Sequence, residues 1–337
     1  MPNMGHQMKP RLCVLGAGSW ATALCKIFSE AGLEVRWWFH RKEDADHFAE
    51  FRQNPRYLTD VDFGNRPVSV FHNAVDALEN CDWVLVAIPS AFVGAVLESI
   101  PVEVLKGKKV ISSIKGILPA QLQLVTDFLN QHFGTPWENM AVIGGPCHAE
   151  EVALEKQSYL TIGAADIGFA EEIRSIIQSR YILATTSNDL NGIEWAAVLK
   201  NVYAIACGVC HGLGYGDNFQ AVLVSNAMQE MNVFLQYQCK GNRDTLASAY
   251  LGDLLVTAYS TFSRNRTFGN MVGRGYGIKA AQVELGMVAE GYYAIKALHK
   301  MTENHSLTLP IARAMYQIMY ENAPVKETIS GLKSILK

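Results

Sequence analysis

The chain has 337 residues, of which 49% are hydrophobic and 18% charged, with a formal net charge of −3. That length exceeds one ordinary hydrophobic core, so two domains are expected, and the composition excludes a disordered chain. A slightly acidic balance offers no basic surface for nucleic acid, and no nucleic-acid partner is expected.

No uncharged apolar run reaches the ~18–20 residues of a membrane span, and the start lacks the apolar centre of a signal peptide. No membrane partner is expected, and the location implied is cytoplasmic. Seven cysteines without dense spacing read as reduced thiols, not as a disulfide framework. Residues 1–9 are polar and unpatterned, a loose tail.

The chain proper opens on an apolar strand, Leu12 to Leu15, that runs into Gly16-Ala17-Gly18-Ser19-Trp20-Ala21. A strand, a two-glycine turn and a helix of small residues make the start of a dinucleotide-binding βαβ unit. Gly16 allows the tight turn, and Gly18 lets backbone approach a pyrophosphate that the new helix attracts with its free N–H groups. The helix Ser19 to Ala31 closes on Gly32, and a second strand, Val35 to Phe39, follows. After it stand His40 and Arg41 where an NAD-selective site would carry a carboxylate. A guanidinium there can hold a 2′-phosphate, which favours NADP; solvated strand-end residues are the other reading.

Alternation continues with strands expected at Val68 to Phe71, Trp83 to Ile88, Lys109 to Ser113, Met140 to Ile143, Tyr159 to Ile162 and Tyr181 to Ala184. Helices are expected at Glu43 to Phe51, Phe92 to Ile100, Gln121 to His132, Ala149 to Glu155 and Phe169 to Gln178. This is the rhythm of a parallel sheet with helices on its faces, whose ligands bind beyond the carboxyl ends of the strands. Pro89-Ser90, Lys115-Gly116 and Gly144-Gly145-Pro146-Cys147-His148-Ala149-Glu150 fall at such ends.

From Leu190 the strand rhythm stops. Helices are expected at Ile193 to Val209, Phe219 to Tyr237, Leu246 to Phe262, Lys279 to Glu284, Ala289 to Thr302 and Ile311 to Tyr320. The division therefore falls at 10–188 and 189–337. Within the first of these helices Cys207-Gly208-Val209-Cys210-His211 has the spacing of covalent haem attachment, but it lies in an apolar helical run and reads as buried thiols. Lys200 is the one charge after Glu194 in a segment apolar on nearly every face, and burial lowers an amine's pKa toward values useful in proton transfer. Asp253 stands in another apolar helical run, and Ser263-Arg264-Asn265 is a compact set of donors suited to a phosphate.

In order along the chain, Gly16-Ala17-Gly18-Ser19-Trp20, Lys115-Gly116, Gly144-Gly145-Pro146, Leu199-Lys200-Asn201, Gly252-Asp253-Leu254, Ser263-Arg264-Asn265-Arg266 and Val288-Ala289-Glu290-Gly291 resemble the bacterial-type NAD(P)-dependent sn-glycerol-3-phosphate dehydrogenases. The likeness runs from Arg11 to about Ala323. It implies an α/β Rossmann-like dinucleotide-binding domain, an all-α domain like that of 6-phosphogluconate dehydrogenase, and a cleft between them. It implies reversible hydride transfer between NAD(P)H, NADPH favoured, and dihydroxyacetone phosphate, giving sn-glycerol 3-phosphate for glycerophospholipid synthesis. A homodimer is implied and no metal. By the same likeness Ser19, Trp20, His40, Arg41, Lys115, Ala149, Arg264, Val288 and Glu290 would touch the cofactor, together with the Gly16 and Gly18 turn. Lys115, Gly145, Cys147, Lys200, Asp253, Ser263, Arg264 and Asn265 would surround the substrate, with Lys200 the proton acceptor, oriented by Asp253 and helped by Lys115. Two positions depart from the family pattern: Cys147, where serine is usual, and Tyr250-Leu251, where another glycine is common.

Two other readings stay open on the residues alone. One is a two-domain NADPH-dependent keto or hydroxy acid reductase of the ketopantoate or 3-hydroxyacid type, whose substrate anion would be a carboxylate. The other is a non-catalytic NADPH-binding regulatory module.

Overall fold

A computed structural model of the chain describes residues 9–303 and 307–337. Most of the expected tail lies outside the described residues; Lys9, its last residue, is held by its Nζ on the Ala31 carbonyl at 2.5 Å.

In chain order the elements are β1 (Leu12–Leu15), α1 (Ser19–Glu30), β2 (Val35–Trp38), α2 (Lys42–Phe51), β3 (Val68–Phe71), α3 (Ala74–Leu78), β4 (Trp83–Val86), α4 (Ser90–Glu98), β5 (Lys109–Ser112), α5 (Val125–Phe133), β6 (Met140–Gly144), α6 (Ala149–Ala153), β7 (Ser158–Ala164), α7 (Ile167–Ile177) and β8 (Ile182–Ser187). The strands form one sheet in the order β3-β2-β1-β4-β5-β6-β7-β8. The reversal of direction around β1 and β4 is the topological switch point at which such sheets bind ligands.

Every junction is parallel except β6–β7, which is antiparallel. The all-parallel expectation fails there for a reason of length. Helix α6 is five residues, ~7.5 Å at 1.5 Å per residue, too short to carry the chain back along a strand of ~16 Å. The chain therefore returns as the neighbouring strand, running the other way.

The second half is helical: α8 (Leu190–Gly212), α9 (Asp217–Gln238), a π turn (Ser248–Gly252), α10 (Asp253–Tyr259), α11 (Arg264–Gly273), α12 (Ile278–Leu285), α13 (Glu290–Thr302), α14 (Pro310–Tyr320) and α15 (Val325–Lys333). The expected single helix over Leu246 to Phe262 is thus divided, and α3, α11 and α15 were not foreseen. Helix α8 is long and apolar enough to cross a membrane by length and composition, but its apolar 18-residue stretch is wholly buried inside the protein.

Leu12 and Val14 enter a core on one sheet face, whereas Cys13 and Leu15 enter a second core on the other face. The second core continues without a break through Val84 and Val86 into Leu199, Val202 and Tyr203 of α8. The helical half is therefore packed on the sheet, and α8 is its axis.

Helix α11 crosses α8 at backbone distance because glycines four apart face each other on both helices. A Cβ on Gly269 or Gly273 of α11 would overlap the carbonyl oxygen of Ile205 or Val209, and one on Gly208 or Gly212 of α8 would overlap that of Arg266 or Asn270. Gly208 in the haem-like pentapeptide is thus a packing residue, and Cys207 and Cys210 beside it are buried thiols, both pushed up by burial. This crossing fixes Lys200 on α8 relative to Ser263, Arg264 and Asn265 where α11 begins.

Helix propensity alone would make Gly269→Ala stabilising by about 1 kcal/mol. Because the methyl group has no room, we expect destabilisation of about 1–3 kcal/mol, read as a lowered urea midpoint at unchanged m. A raised midpoint would refute the close crossing.

Candidate active site

A cleft lies beyond the carboxyl ends of β1, β4, β5 and β6 and is closed on the far side by α8, α10, α11 and α13. Its floor is the first turn of the chain. Gly16 has φ +116°, and a Cβ there would lie 2.5 Å from the Ala87 carbonyl oxygen, so only glycine fits between β1 and β4. The Gly16 carbonyl accepts the Trp37 indole N–H at 2.7 Å.

Gly18 caps α1 without a side-chain bond, the first turn holds no acidic residue, and no atom stands within 4 Å of where its Cβ would be. The result is a cradle of helix-terminal N–H groups open to the cleft, which suits an anion and fits the pyrophosphate of a dinucleotide. Ser19 and Trp20 line it, and the Trp20 indole N–H is buried with no partner among the described residues.

Opposite this cradle stands Lys200, 4% exposed, its Nζ ion-paired with Asp253, itself 1% exposed. The other Asp253 oxygen, Oδ2, makes no hydrogen bond among the described residues and lies 4.0 Å from the Lys115 ammonium, which sits 5.1 Å from the centre of the Trp20 ring. Burial pushes the Lys200 amine down to about 7; Asp253 opposes that shift and Lys115 adds to it. An amine so placed exchanges its proton near neutral pH.

The π turn has a part in this geometry. Its wider winding rotates the chain just before α10 and ends at Gly252, so that Asp253, the first residue of α10, faces Lys200. Tyr250 within the turn donates to Asp189 Oδ2 at 2.5 Å, and Asp189 also receives Arg243 and caps α8 at Gly192. Burial works against that carboxylate, but the bonds from Arg243 and Tyr250 win and hold its pKa below the usual range. The departure at Tyr250 thus ties the π turn to the start of α8.

Two further contacts join the halves. Asn201 donates to the Lys115 carbonyl at 2.6 Å, and the Glu290 carboxylate accepts from both the Ser90 N–H and its hydroxyl. A Cβ on Gly116 would sit 2.5 Å from Glu290 Oε2 and Ser90 Oγ, so Gly116 makes room for that link. Burial raises the Glu290 pKa, and the Ser90 bonds oppose it.

Of the donor triplet, Ser263 caps α11 by accepting the Arg266 N–H at 3.3 Å, and Asn265 Oδ1 accepts the Gly291 N–H at 2.9 Å. Arg264 reaches across the cleft to Ser19 Oγ at 3.2 Å, toward the α1 cradle. The triplet is therefore the first turn of a helix, not a solvated loop. Ser263, Arg264 and Asn265 all line the cleft.

Gly18, Ser19, Trp20, Lys115, Cys147, Ala149, Lys200, Ser263, Arg264, Asn265, Val288 and Glu290 all line this cleft. Asp253 stands directly behind Lys200, and Gly16 lies beneath the cradle. Gly145, at φ +102°, backs onto β7, where a Cβ would lie 2.9 Å from the Tyr159 carbonyl oxygen. His40 and Arg41 do not line it: they are exposed past the end of β2, with Arg41 capping α2. Burial pushes the Cys147 thiol up to about 11, so it is a neutral, weak donor at pH 7.

The residues that sequence reasoning passed over are Ser90, Asn201, Phe262 and His148. The strand-end rule pointed to the stretches that hold Ser90 and His148 but not to the side chains. The Ser90–Glu290 bond joins positions 200 apart, which no local pattern marks.

Comparison with known proteins agrees with this geometry. Residues 11–170 match the model of the NAD-dependent glycerol-3-phosphate dehydrogenase N-terminus, and residues 189–330 that of its C-terminus. The chain is 33% identical to the glycerol-3-phosphate dehydrogenase [NAD(P)+] of Chlorobium limicola, covering 95% of this chain and 96% of that one. It is 32% identical to the enzyme of the same name from Oceanobacillus iheyensis, covering 96% and 93%. Among solved structures, glycerol-3-phosphate dehydrogenase from Coxiella burnetii superposes with a TM-score of 0.88 at 26% identity, over 96% of this chain and 98% of that one. With the phosphate cradle, the buried lysine and both domain models found in one chain, this protein belongs to the NAD-dependent glycerol-3-phosphate dehydrogenase family.

Proposed function

We propose that the chain interconverts dihydroxyacetone phosphate and sn-glycerol 3-phosphate with NAD(P)H. The observation that carries this reading is the buried Lys200–Asp253 pair, with Lys115 beside it, facing an open anion cradle across one cleft. The bound nicotinamide supplies or accepts the hydride at the central carbon.

The chain's own groups handle the proton and the charge. During oxidation neutral Lys200 takes the proton from the hydroxyl at C2; during reduction its ammonium form gives a proton to the ketone oxygen. Asp253 holds the amine in place, and Lys115 places a second positive charge near the oxygen as negative charge develops there. Arg264, with the Asn265 amide and the Ser263 hydroxyl, holds the substrate phosphate, and that binding fixes C2 in line for transfer. The Gly18 cradle, Ser19, Trp20 and Ala149 hold the dinucleotide, and Val288 and Glu290 close over it. Gly145 and Cys147 shape the substrate side from the end of β6.

His40 and Arg41, exposed at the end of β2 where an NAD-selective site would carry a carboxylate, support NADPH as the favoured cofactor. On this reading residues 10–188 carry the cofactor and 189–337 carry the base. The family likeness supports a cytoplasmic homodimer that feeds glycerophospholipid synthesis. Against a carboxylate-bearing keto acid speak both family matches, since a guanidinium such as that of Arg264 would serve either anion.

Lys200→Ala is expected to lower kcat by about 10²–10⁴-fold with NADPH binding unchanged. The neutral amine gains population as pH climbs past about 7, so kcat/KM for oxidation should rise there and that for reduction should fall. Profiles in both directions check the sign, and a wild-type-like limb retained in Lys200→Ala would remove the residue from proton transfer. Arg264→Ala should raise KM for dihydroxyacetone phosphate by about tenfold to a hundredfold, the loss of one charged hydrogen bond. An unchanged KM would remove Arg264 from the phosphate site.

A further inference from the structure

His148 follows Cys147 at the mouth of β6 and caps α6, and its ring lines the cleft 5.9 Å from that of Phe262. Its Nε2 is buried and has no hydrogen-bond partner among the described residues. Burial first, then the Lys200 and Lys115 charges, push this imidazole down to about 4, against Asp253 and the Val256 backbone. It is therefore neutral at pH 7, a side chain of the cleft lining with one polar nitrogen left unsatisfied among the described residues. A buried polar atom left so is costly unless a ligand completes it.

The substrate class has three polar ends. A phosphate dianion calls for a cation, which Arg264 provides. The reacting oxygen calls for a group that moves a proton, which Lys200 provides. The free primary hydroxyl is neutral and both donates and accepts, and a neutral imidazole nitrogen is its match in kind. We infer that His148 Nε2 hydrogen-bonds the free hydroxymethyl group of the three-carbon substrate and so sets specificity for that hydroxyl. This rests on the proposed function and names what reads the end of the substrate opposite the phosphate.

A site built to bond a hydroxyl rejects the analogue that lacks it, because its own buried group is then left unpaired. The test compares reduction of dihydroxyacetone phosphate with that of hydroxyacetone phosphate, which has a methyl group in place of the hydroxymethyl. Wild-type enzyme should prefer the hydroxylated ketone. In His148→Leu the ratio of kcat/KM values should fall by about tenfold through loss on dihydroxyacetone phosphate alone. His148→Gln, which returns an amide near the same place, should regain much of the preference. Equal losses on both ketones, or an unchanged ratio in His148→Leu, would overturn the assignment while the proposed reaction stood. A wild-type chain that reduces neither ketone would overturn the reaction itself and the assignment with it.

Discussion

The structure turns on one ion pair held away from water. An isolated ammonium at the depth of Lys200 would be driven to lose its proton. The Asp253 carboxylate beside it opposes that loss, yet burial still outweighs Asp253 at the amine. Lys115, 4.0 Å from the second Asp253 oxygen, adds positive charge and weakens the hold further. The lysine is left between states, which a proton-transfer group requires and a merely structural salt bridge does not.

Most of what surrounds the pair keeps it in place. The glycine crossing of α8 and α11 sets Lys200 against the start of α11 at a separation that any larger side chain would widen. The π turn sets the facing of Asp253, and Tyr250, Asp189 and Arg243 brace that turn against α8. Polar links between the Rossmann half and the helical half include Asn201 to the Lys115 carbonyl, Glu290 to Ser90, Arg264 to Ser19 and Thr126 to Glu194. The first of these starts beside Lys200 on α8, and the third starts at the first residue of α11. Buried polar bonds of this kind give orientation more than net stability.

Much of this was legible in the sequence wherever local pattern decides structure. Strands β1 to β6 begin where apolar runs begin, and the Gly16–Gly18 turn announces its own use. Lys200 was visible as a lone charge in an apolar helix. What could not be read depends on distance along the chain. The antiparallel return of β7 follows from the shortness of α6, which composition does not show. The division of Leu246 to Phe262 into a π turn and α10 answers to contacts with Asp189 and Lys200, not to helix propensity. Ser263, Arg264 and Asn265 read as a compact set of donors, but that they are the cap and first turn of a helix shows only with α11 in place. The strand-end rule reached the stretch that holds His148 but not its side chain, which is set apart by a nitrogen without a hydrogen-bond partner among the described residues.

The most direct test of this account is the titration of one amine. With [ε-13C]lysine in the intact protein and Lys200→Arg used to assign the resonance, the Lys200 signal should titrate near pH 7, well below the ordinary lysine value of about 10.4. A Lys200 resonance that titrates together with the surface lysines would contradict the claim that burial between Asp253 and Lys115 prepares this residue to pass a proton.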